Sequence, residues 1–449
     1  MESSPREIAA RFSVSERTLE YAVALFFFLL PFQWALQPTA GVDLPVGRAL
    51  APVVALGWLF VRLAQRRLWV PWSAASVALL SFLLISVLSV GWAEERGWAF
   101  RKSLFLLTYA PLFFVVADLA REHGARRRLL LALVGGAGIV ATVGIFQFFS
   151  QFVFGVGTVF HFWLEAVSPF FLGTDFGSAV ATYPSLLVNI GGETVLRASA
   201  FFPDPHMMAY GMGLSLPLGL YLAVSESSPV WRKLFFGLSG LIVCTEMLTF
   251  SRGGYVALGL AGLFVAGLWL GTTHRRGRVW GGVLAILIGV ALFSFSPIGE
   301  RFGSVFSVAE GSNRERLRLW SEAVEYIARR PLTGYGLGNY PLAVKPSAEY
   351  REPIYAHNLY LDIATETGVP GLFFFLLFLF GTLFASGTRW VREKDRLALA
   401  LSGAAMVYAT HSLFETPLFS VHIFPLLLVV AALSVGRQSH PYIYEKPVV

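Results

Sequence analysis

The sequence has few charged residues and almost no cysteine. Only 14% of its 449 residues are charged, whereas a soluble domain carries about 25%. A chain of this size with so little charge cannot cover a water-facing surface, which excludes an ordinary soluble enzyme. The one cysteine, Cys244, lies within an apolar run, so no disulfide can form within the chain.

Apolar residues take the place of the missing charge. Hydrophobic residues make up 55% of the chain, and the mean hydropathy is +0.63. The 40 Phe and 12 Trp residues favour lipid-facing and interfacial surface. The net charge of +7 would suit a nucleic acid, but Lys and Arg occur in short clusters between apolar runs. This pattern is typical of membrane topology, so membrane lipids and no nucleic acid are the expected partners.

Long apolar runs recur along the chain. A membrane-spanning helix needs about 20 mostly apolar residues. Twelve runs come near this length: 21–37, 45–63, 72–92, 103–120, 129–153, 207–224, 234–250, 254–271, 279–296, 369–388, 397–415 and 418–435. We therefore predict an all-α polytopic membrane protein of about 12 transmembrane helices, whose first apolar run is retained and not cleaved as a signal.

Basic residues predict the orientation. With the N-terminus in the cytoplasm, 21 Lys and Arg lie inside and six outside, leaving out the long segment 297–356. Both termini are then inside, and two larger segments, 154–206 and 297–368, lie outside with room for chemistry. The predicted organisation is transmembrane helices 1–9 over 1–296, a helical loop subdomain over 297–368, and helices 10–12 with the tail over 369–449.

Arginines at the apolar boundary are functional candidates because a charge is costly there. Arg252 stands between two predicted spans and is followed by two glycines. The glycines favour a guanidinium that faces a cavity, although a lone arginine can also snorkel to the interface. Arg197 precedes the sixth span, and a salt bridge to Asp204 is its structural alternative. A third basic group consists of Arg314, Arg316 and Arg318, at the start of a helix predicted to run to Arg329, and one of these pointing into the cavity would complete the cluster. Three arginines converging at the boundary would suit a lipid diphosphate, since the guanidinium fork binds phosphate oxygens bidentately.

His357 is the candidate general base. It opens a short amphipathic helix that is predicted to end at Gly368, where a membrane span starts. A histidine of near-neutral pKa can take a proton from a hydroxyl. Asn358 follows it, and Asp362 or Glu366, one or two turns on, could orient the ring, although these carboxylates could equally cap the helix or form salt bridges.

Two alternatives remain open for the histidines. His206 is a second candidate base because it stands beside Asp204 and close in sequence to Arg197. His357 could also act as a cation that stabilises a departing diphosphate. The two roles differ in pH dependence, because a base loses activity as the pH falls and a cationic binder loses it as the pH rises.

At these residues the chain resembles the O-antigen ligase and polymerase superfamily of bacterial envelope glycan enzymes. Ligases share a signature of His, then Asn, Ser or Gln, nine further residues, and Gly-x-x-Gly. Three elements carry the resemblance: His357-Asn358 followed by nine residues and Gly-Val-Pro-Gly at 368–371; Ser-Arg-Gly at 251–253; and Arg316 to Trp320 followed by Pro-Leu-Thr-Gly-Tyr-Gly at 331–336.

The resemblance implies a GT-C-like, metal-independent glycosyltransferase of the bacterial inner membrane. Such an enzyme moves a glycan from undecaprenyl diphosphate to an acceptor hydroxyl on the periplasmic face, and in ligases this hydroxyl belongs to a lipid A core sugar. No cofactor is expected, and neither external segment has an Asp-x-Asp pair for a metal. The implied catalytic residues are His357 and Arg252, the diphosphate ligands are Arg197, Arg252 and Arg316, and the supporting residues are Asn358, Asp204, His206, Tyr335 and Asp362.

Two other functions compete with a ligase. A polymerase that joins lipid-linked repeat units would use the same arginines and would need room for two lipid carriers. A transporter is the alternative from another class, since twelve spans are common there. The His357 helix and the scarcity of paired charges in the middle of the predicted spans count against a transporter.

Overall fold

The computed structural model describes residues 5–39, 42–181, 184–272, 311–350, 352 and 354–435. Helices account for most of these residues. In chain order they are α1 (Pro5–Leu29), α2 (Val46–Ala64), α3 (Ala74–Leu88), α4 (Arg96–Tyr109), α5 (Pro111–Leu119), α6 (His123–Phe154), α7 (Val156–Phe162), α8 (Ser168–Leu172), α9 (Thr174–Ala181), α10 (Pro205–Ser225), α11 (Pro229–Leu248), α12 (Arg252–Leu270), α13 (Gly311–Arg329), α14 (Tyr340–Val344), α15 (Leu359–Glu393), α16 (Arg396–His411) and α17 (Ile423–Val435). Short 3₁₀ segments occupy Ser89–Gly91 and Pro184–Leu186, and a π-helical segment occupies Trp163–Val167.

Seven helical segments in the described part of the chain are long and apolar enough to cross a membrane. They coincide with seven of the twelve predicted spans, so the chain is a multi-pass membrane protein. The predicted spans 21–37, 234–250, 397–415 and 418–435 overlap α1, α11, α16 and α17, which are not among the seven. The span predicted at 279–296 lies outside the described residues. The count of twelve therefore stays a prediction.

The shortest of these helices, α17, lies inside the helix bundle. It has 13 residues, and Leu427 and Leu428 have no exposed surface at all. It packs against α5, α15 and α16. By contrast, Phe60 and Phe384 on other helices are more than 70% exposed, as expected for side chains that face lipid.

Two antiparallel hairpins interrupt the helical fold and were not predicted. β1 (Ala35–Thr39) pairs with β2 (Val42–Pro45), and β3 (Leu187–Ile190) pairs with β4 (Glu193–Leu196). Gly191 and Gly192 form the two-residue turn of the second hairpin, with φ of 59° and 92°. Two consecutive positive φ values define the tight turns that suit hairpins, and glycine adopts them without strain. The strand β4 leads directly to Arg197.

A break in α15 occurs at Gly368, where the sequence predicts that the amphipathic helix ends. Gly368 has φ 73° and ψ 178°, and the helix resumes immediately after it. A Cβ at this position would lie 2.6 Å from the carbonyl oxygen of Leu332, and Val369 N donates to Pro331 O at 2.8 Å. Only glycine fits here, and the segment after α13 is therefore fixed against the break in α15.

The start of α15 and the residue after α16 meet at one end of the helices. Leu359 N, at the start of α15, donates to Ser412 O, just after α16, at 2.9 Å. Buried ion pairs close the opposite end. There Arg62 Nε donates to Asp118 Oδ2 at 2.6 Å, which joins the last turns of α2 and α5.

Cysteine labelling tests which end faces outward. Ser347 and Arg127 are exposed at opposite ends of the molecule, so each can be replaced by cysteine in a Cys244→Ala background, since Cys244 is exposed. The positive-inside pattern predicts that a membrane-impermeant maleimide added to spheroplasts modifies Ser347→Cys and leaves Arg127→Cys unmodified. After permeabilisation both should react. Modification of Arg127→Cys alone in intact spheroplasts would reverse the topology.

Candidate functional site

A buried carboxylate, Glu415, gathers three basic side chains in the connection between α16 and α17. Its Oε1 accepts a hydrogen bond from Arg316 Nη2 at 2.9 Å and lies 3.7 Å from His206 Nδ1. Its Oε2 lies 3.2 Å from His357 Nδ1. The side chain of Glu415 is only 9% exposed, whereas that of His357 is 42% exposed. The cluster therefore opens to the surface at His357.

Asp362 holds together the two loops that carry His357 and Glu415. Its Oδ1 accepts from Ala356 N at 2.8 Å, and its Oδ2 accepts from the hydroxyl of Thr416. These two partners directly precede His357 and directly follow Glu415. The sequence predicted that Asp362 or Glu366 orients the ring of His357. In the structure the carboxylate hydrogen-bonded to His357 is that of Glu415.

The backbone at His357 is held in an unusual conformation. Its φ is 49°, in the left-handed region, which costs a non-glycine residue about 1–3 kcal/mol and is found often at functional sites. On one side, Trp320 Nε1 donates to Ala356 O at 3.0 Å. On the other, Asn358 caps α15, and its Oδ1 accepts from Tyr360 N and Leu361 N. The supporting residue Asn358 therefore fixes the start of the helix and the position of its neighbour.

The turn between α11 and α12 brings in the other predicted site residues. Arg197 Nε donates to Thr249 O at 2.7 Å, and His206 Nδ1 lies 3.0 Å from Ser251 Oγ. Arg252 follows as the first residue of α12 and is 8% exposed. His206 contacts Ser251 on one side and lies 3.7 Å from Glu415 on the other, so this turn and the Glu415 cluster form one site.

The glycine pair after Arg252 allows the close approach that the sequence predicts. A Cβ on Gly253 would lie 3.1 Å from the ring of His411, and one on Gly254 would overlap the carboxylate of Glu246. The first turn of α12 can therefore pack directly against α16 and α11. This contact brings Arg252 to the end of the helices where Glu415 lies.

Two glutamines one turn apart on α6 hold the loop that carries Arg197. Gln151 Oε1 accepts from Leu196 N at 2.7 Å, and Gln147 Oε1 accepts from Ser199 N and Ala200 N at 2.9 and 2.8 Å. Both glutamines are buried. The loop backbone is thus fixed on both sides of Arg197.

Asp204 caps α10. Its Oδ1 accepts from His206 N at 2.8 Å and from Met207 N at 2.9 Å. Arg197, which the sequence offers as its salt-bridge partner, donates to Thr249 O and to Ser185 O at 2.7 and 2.8 Å. Burial, helped by the charge of Glu415, raises the pKa of Asp204 to about 6.

Two groups of residues lie away from this cluster. The ring of Tyr335 packs edge-on against Tyr326, with their centres 5.9 Å apart, and lies under the guanidinium of Arg330. Tyr335 therefore packs the segment after α13 against the last turns of α13. Of the three arginines at the start of α13, Arg314 and Arg318 are exposed, and Arg316 alone reaches Glu415.

The electrostatics of the cluster favour a charged Glu415 and a basic His357. Burial alone would raise the pKa of Glu415, but His206, His357 and Arg316 outweigh it and hold the pKa well below its usual range. Burial would lower the pKa of His357, but its hydrogen bond to Glu415 and the charge of that carboxylate raise it above the ordinary value. The pair can therefore accept a proton on the imidazole and stabilise the resulting cation.

The sequence analysis did not identify Glu415, although the criterion that selected Arg252 applies to Glu415 as well. Glu415 ends the predicted span 397–415, so it is an ionisable residue at the apolar boundary, as Arg252 is. Among the described residues, no group of three or more His, Cys, Asp or Glu is arranged to hold a metal ion.

Residues 237–376 match the family model described as O-Antigen ligase. The matched range contains Arg252, Arg316 and His357, whereas Arg197 and Glu415 lie outside it. No curated protein matches the chain.

Proposed function

We propose that the chain is a glycosyltransferase of the O-antigen ligase superfamily and that it moves a glycan from undecaprenyl diphosphate to an acceptor hydroxyl, and the match of residues 237–376 to the O-Antigen ligase family model supports this. The acceptor is a sugar of the lipid A core, and the reaction takes place on the periplasmic face of the bacterial inner membrane. The observation that carries the proposal is the pairing of a partly exposed His357 with Glu415 inside a cluster of arginines.

His357 acts as the general base in this proposal. Its Nδ1 faces Glu415, so Nε2 is left for the acceptor hydroxyl. As the hydroxyl oxygen attacks the anomeric carbon, its proton passes to Nε2 and the bond to the diphosphate breaks. Glu415 keeps the ring oriented and stabilises the imidazolium, as a carboxylate does in hydrolases with a histidine base.

The arginines hold the departing diphosphate. Arg197, Arg252 and Arg316 remain charged at every relevant pH, and a guanidinium is suited to binding phosphate oxygens. Arg197 and Arg252 are almost fully buried, at 4% and 8% exposure. Since a buried charge acts in a medium of low dielectric constant, these residues stabilise the negative charge that develops on the leaving group. The positive charge comes from side chains, which is why the reaction is proposed to be metal-independent.

Reconstitution tests the proposal. The purified protein in liposomes is supplied with an undecaprenyl-diphosphate glycan and a lipid A core acceptor, and the products are analysed by mass. We expect a glycan joined to the acceptor. A lengthened lipid-linked glycan would instead identify a polymerase. Glycan that crosses the bilayer with its attachment unchanged would identify a transporter and overturn the proposal.

A further inference from the structure

Two cations outside the Glu415 cluster flank one pair of aromatic rings. Arg48 lies in the first turn of α2, with its Cζ 5.6 Å from the centre of the Phe105 ring. Lys102 lies on α4, with its Nζ 3.9 Å from the centre of the Phe419 ring. The two rings pack edge to face, 5.9 Å apart. Arg48 and Lys102 therefore occupy a single site formed by α2, α4 and the connection after α16.

Neither cation forms a hydrogen bond or a close ion pair in the part of the chain that the structure describes, and the buried carboxylates of Glu366 and Asp362 act on Lys102 only from a longer distance. No ion pair or hydrogen bond joins the side chain of Arg48 or Lys102 to another described group, although an ammonium has three donors and a guanidinium five. Both side chains are partly exposed, so their donors can reach a ligand. Contact with Phe rings compensates only part of the charge. Two neighbouring cations whose donors are unused can bind the oxygens of an anionic group.

The backbone fixes the position of Lys102. Gly338 has φ 74°, and a Cβ added there would lie 2.7 Å from Lys102 Cγ. Next to it, Asn339 Oδ1 accepts from Glu95 N at 2.7 Å, which anchors this loop to the start of α4. The lysine stem therefore lies directly against a loop whose own position is fixed.

The site is adjacent to the proposed reacting groups. Asp362 interacts electrostatically with both Lys102 and His357. Phe419, the ring beneath Lys102, is four residues from Glu415 in the same connection. A molecule bound by Arg48 and Lys102 would therefore lie close to the proposed base His357.

We propose that Arg48 and Lys102 bind a phosphate or carboxylate group of the acceptor glycolipid. This inference rests on the proposed function, in which Arg197, Arg252 and Arg316 are already assigned to the donor. A guanidinium fork beside an ammonium suits the oxygens of one anionic group. The same chemistry is present in the headgroup of an anionic phospholipid, so the experiment has to separate the two sources.

Kinetics with matched acceptors form the first arm. In Arg48→Gln and in Lys102→Gln, the KM for a phosphorylated acceptor should rise about 10-fold or more, since a charge-assisted contact is lost. The KM for the donor and the kcat at saturating acceptor should not change. With a phosphatase-treated acceptor, wild type and variants should be alike. Arg101→Gln, next to Lys102 but exposed and facing Tyr350, is the control and should behave as wild type.

The kinetic arm has a clear contrary result. An equal change with phosphorylated and dephosphorylated acceptors, or a rise in the KM for the donor, would overturn the assignment to the acceptor.

Direct binding forms the second arm and needs no transfer. The protein in phosphatidylcholine nanodiscs is titrated with diphosphoryl lipid A, dephosphorylated lipid A and phosphatidylglycerol. Saturable binding of diphosphoryl lipid A that is lost in the Arg48→Gln, Lys102→Gln double variant supports the inference, even if the wild type transfers nothing and only the proposed function fails. Equally strong binding of phosphatidylglycerol would make the ligand a membrane phospholipid. Identical binding of diphosphoryl lipid A by the wild type and the double variant would show that Arg48 and Lys102 do not form the binding site.

Discussion

Replacing His357 with alanine is expected to lower the rate of glycan transfer by about 10²–10⁴-fold, the usual contribution of a general base. The variant should still insert into the membrane and bind the donor, because no arginine is removed. Turnover and donor binding are measured on the same reconstituted samples. Wild-type transfer by His357→Ala would contradict the role, and loss of donor binding alone would favour the cationic role.

The pH profile provides the control for this prediction. A base must be neutral to accept a proton, so the rate should fall as the pH decreases through the pKa of His357, which Glu415 raises above 6.5. Glu415→Gln keeps the shape of the side chain and removes its charge. Burial then dominates, the pKa of His357 falls, and the acid limb should move to lower pH. A rate that instead falls with rising pH would identify a cationic binder.

Replacing Arg252 with lysine is expected to impair transfer nearly as much as replacing it with alanine. An ammonium keeps the charge but cannot reproduce the bidentate fork, and one charge-assisted contact contributes about 1.5–3 kcal/mol before any effect on the transition state. Donor affinity and kcat measured for both variants test this. The matched control is Arg318→Lys, since Arg318 is exposed and pairs with Glu315 and Glu322 on its own helix. Wild-type turnover by Arg252→Lys would rule out bidentate binding.

Local features of the sequence predicted local structure well. The helix that runs to Arg329 and the break at Gly368 are both present, because each depends on residues within a few positions. The partner of His357 could not be found in this way. Helical spacing pointed to Asp362 or Glu366, whereas the residue that contacts the ring is Glu415, 58 positions away. That contact exists because the start of α15 and the end of α16 meet, which is a property of the tertiary structure.

The span count shows a second limit of sequence reasoning. The length of an apolar run predicts a lipid-crossing helix only if the helix itself must cover the hydrocarbon thickness. The buried helix α17 is apolar on all sides and protein surrounds it, so composition alone cannot decide whether it spans the membrane, and the span predicted at 418–435 stays a prediction. The hairpin at Gly191 and Gly192 was not predicted for a different reason: its strands are four residues long and lie inside a predicted external segment.

Glu415 contacts Arg316 and His357 at once. This shared contact couples diphosphate binding to the basicity of His357 in the proposed reaction. Arg316 shares the carboxylate with His357, and its positive charge lowers the proton affinity of the imidazole. A diphosphate that neutralises Arg316 removes this effect, so the base becomes stronger once the donor is bound. By reciprocity, a proton on His357 strengthens binding of the diphosphate by the same free energy. In the proposed reaction, the base therefore reaches full strength only when the donor diphosphate is bound and the glycan is ready to leave.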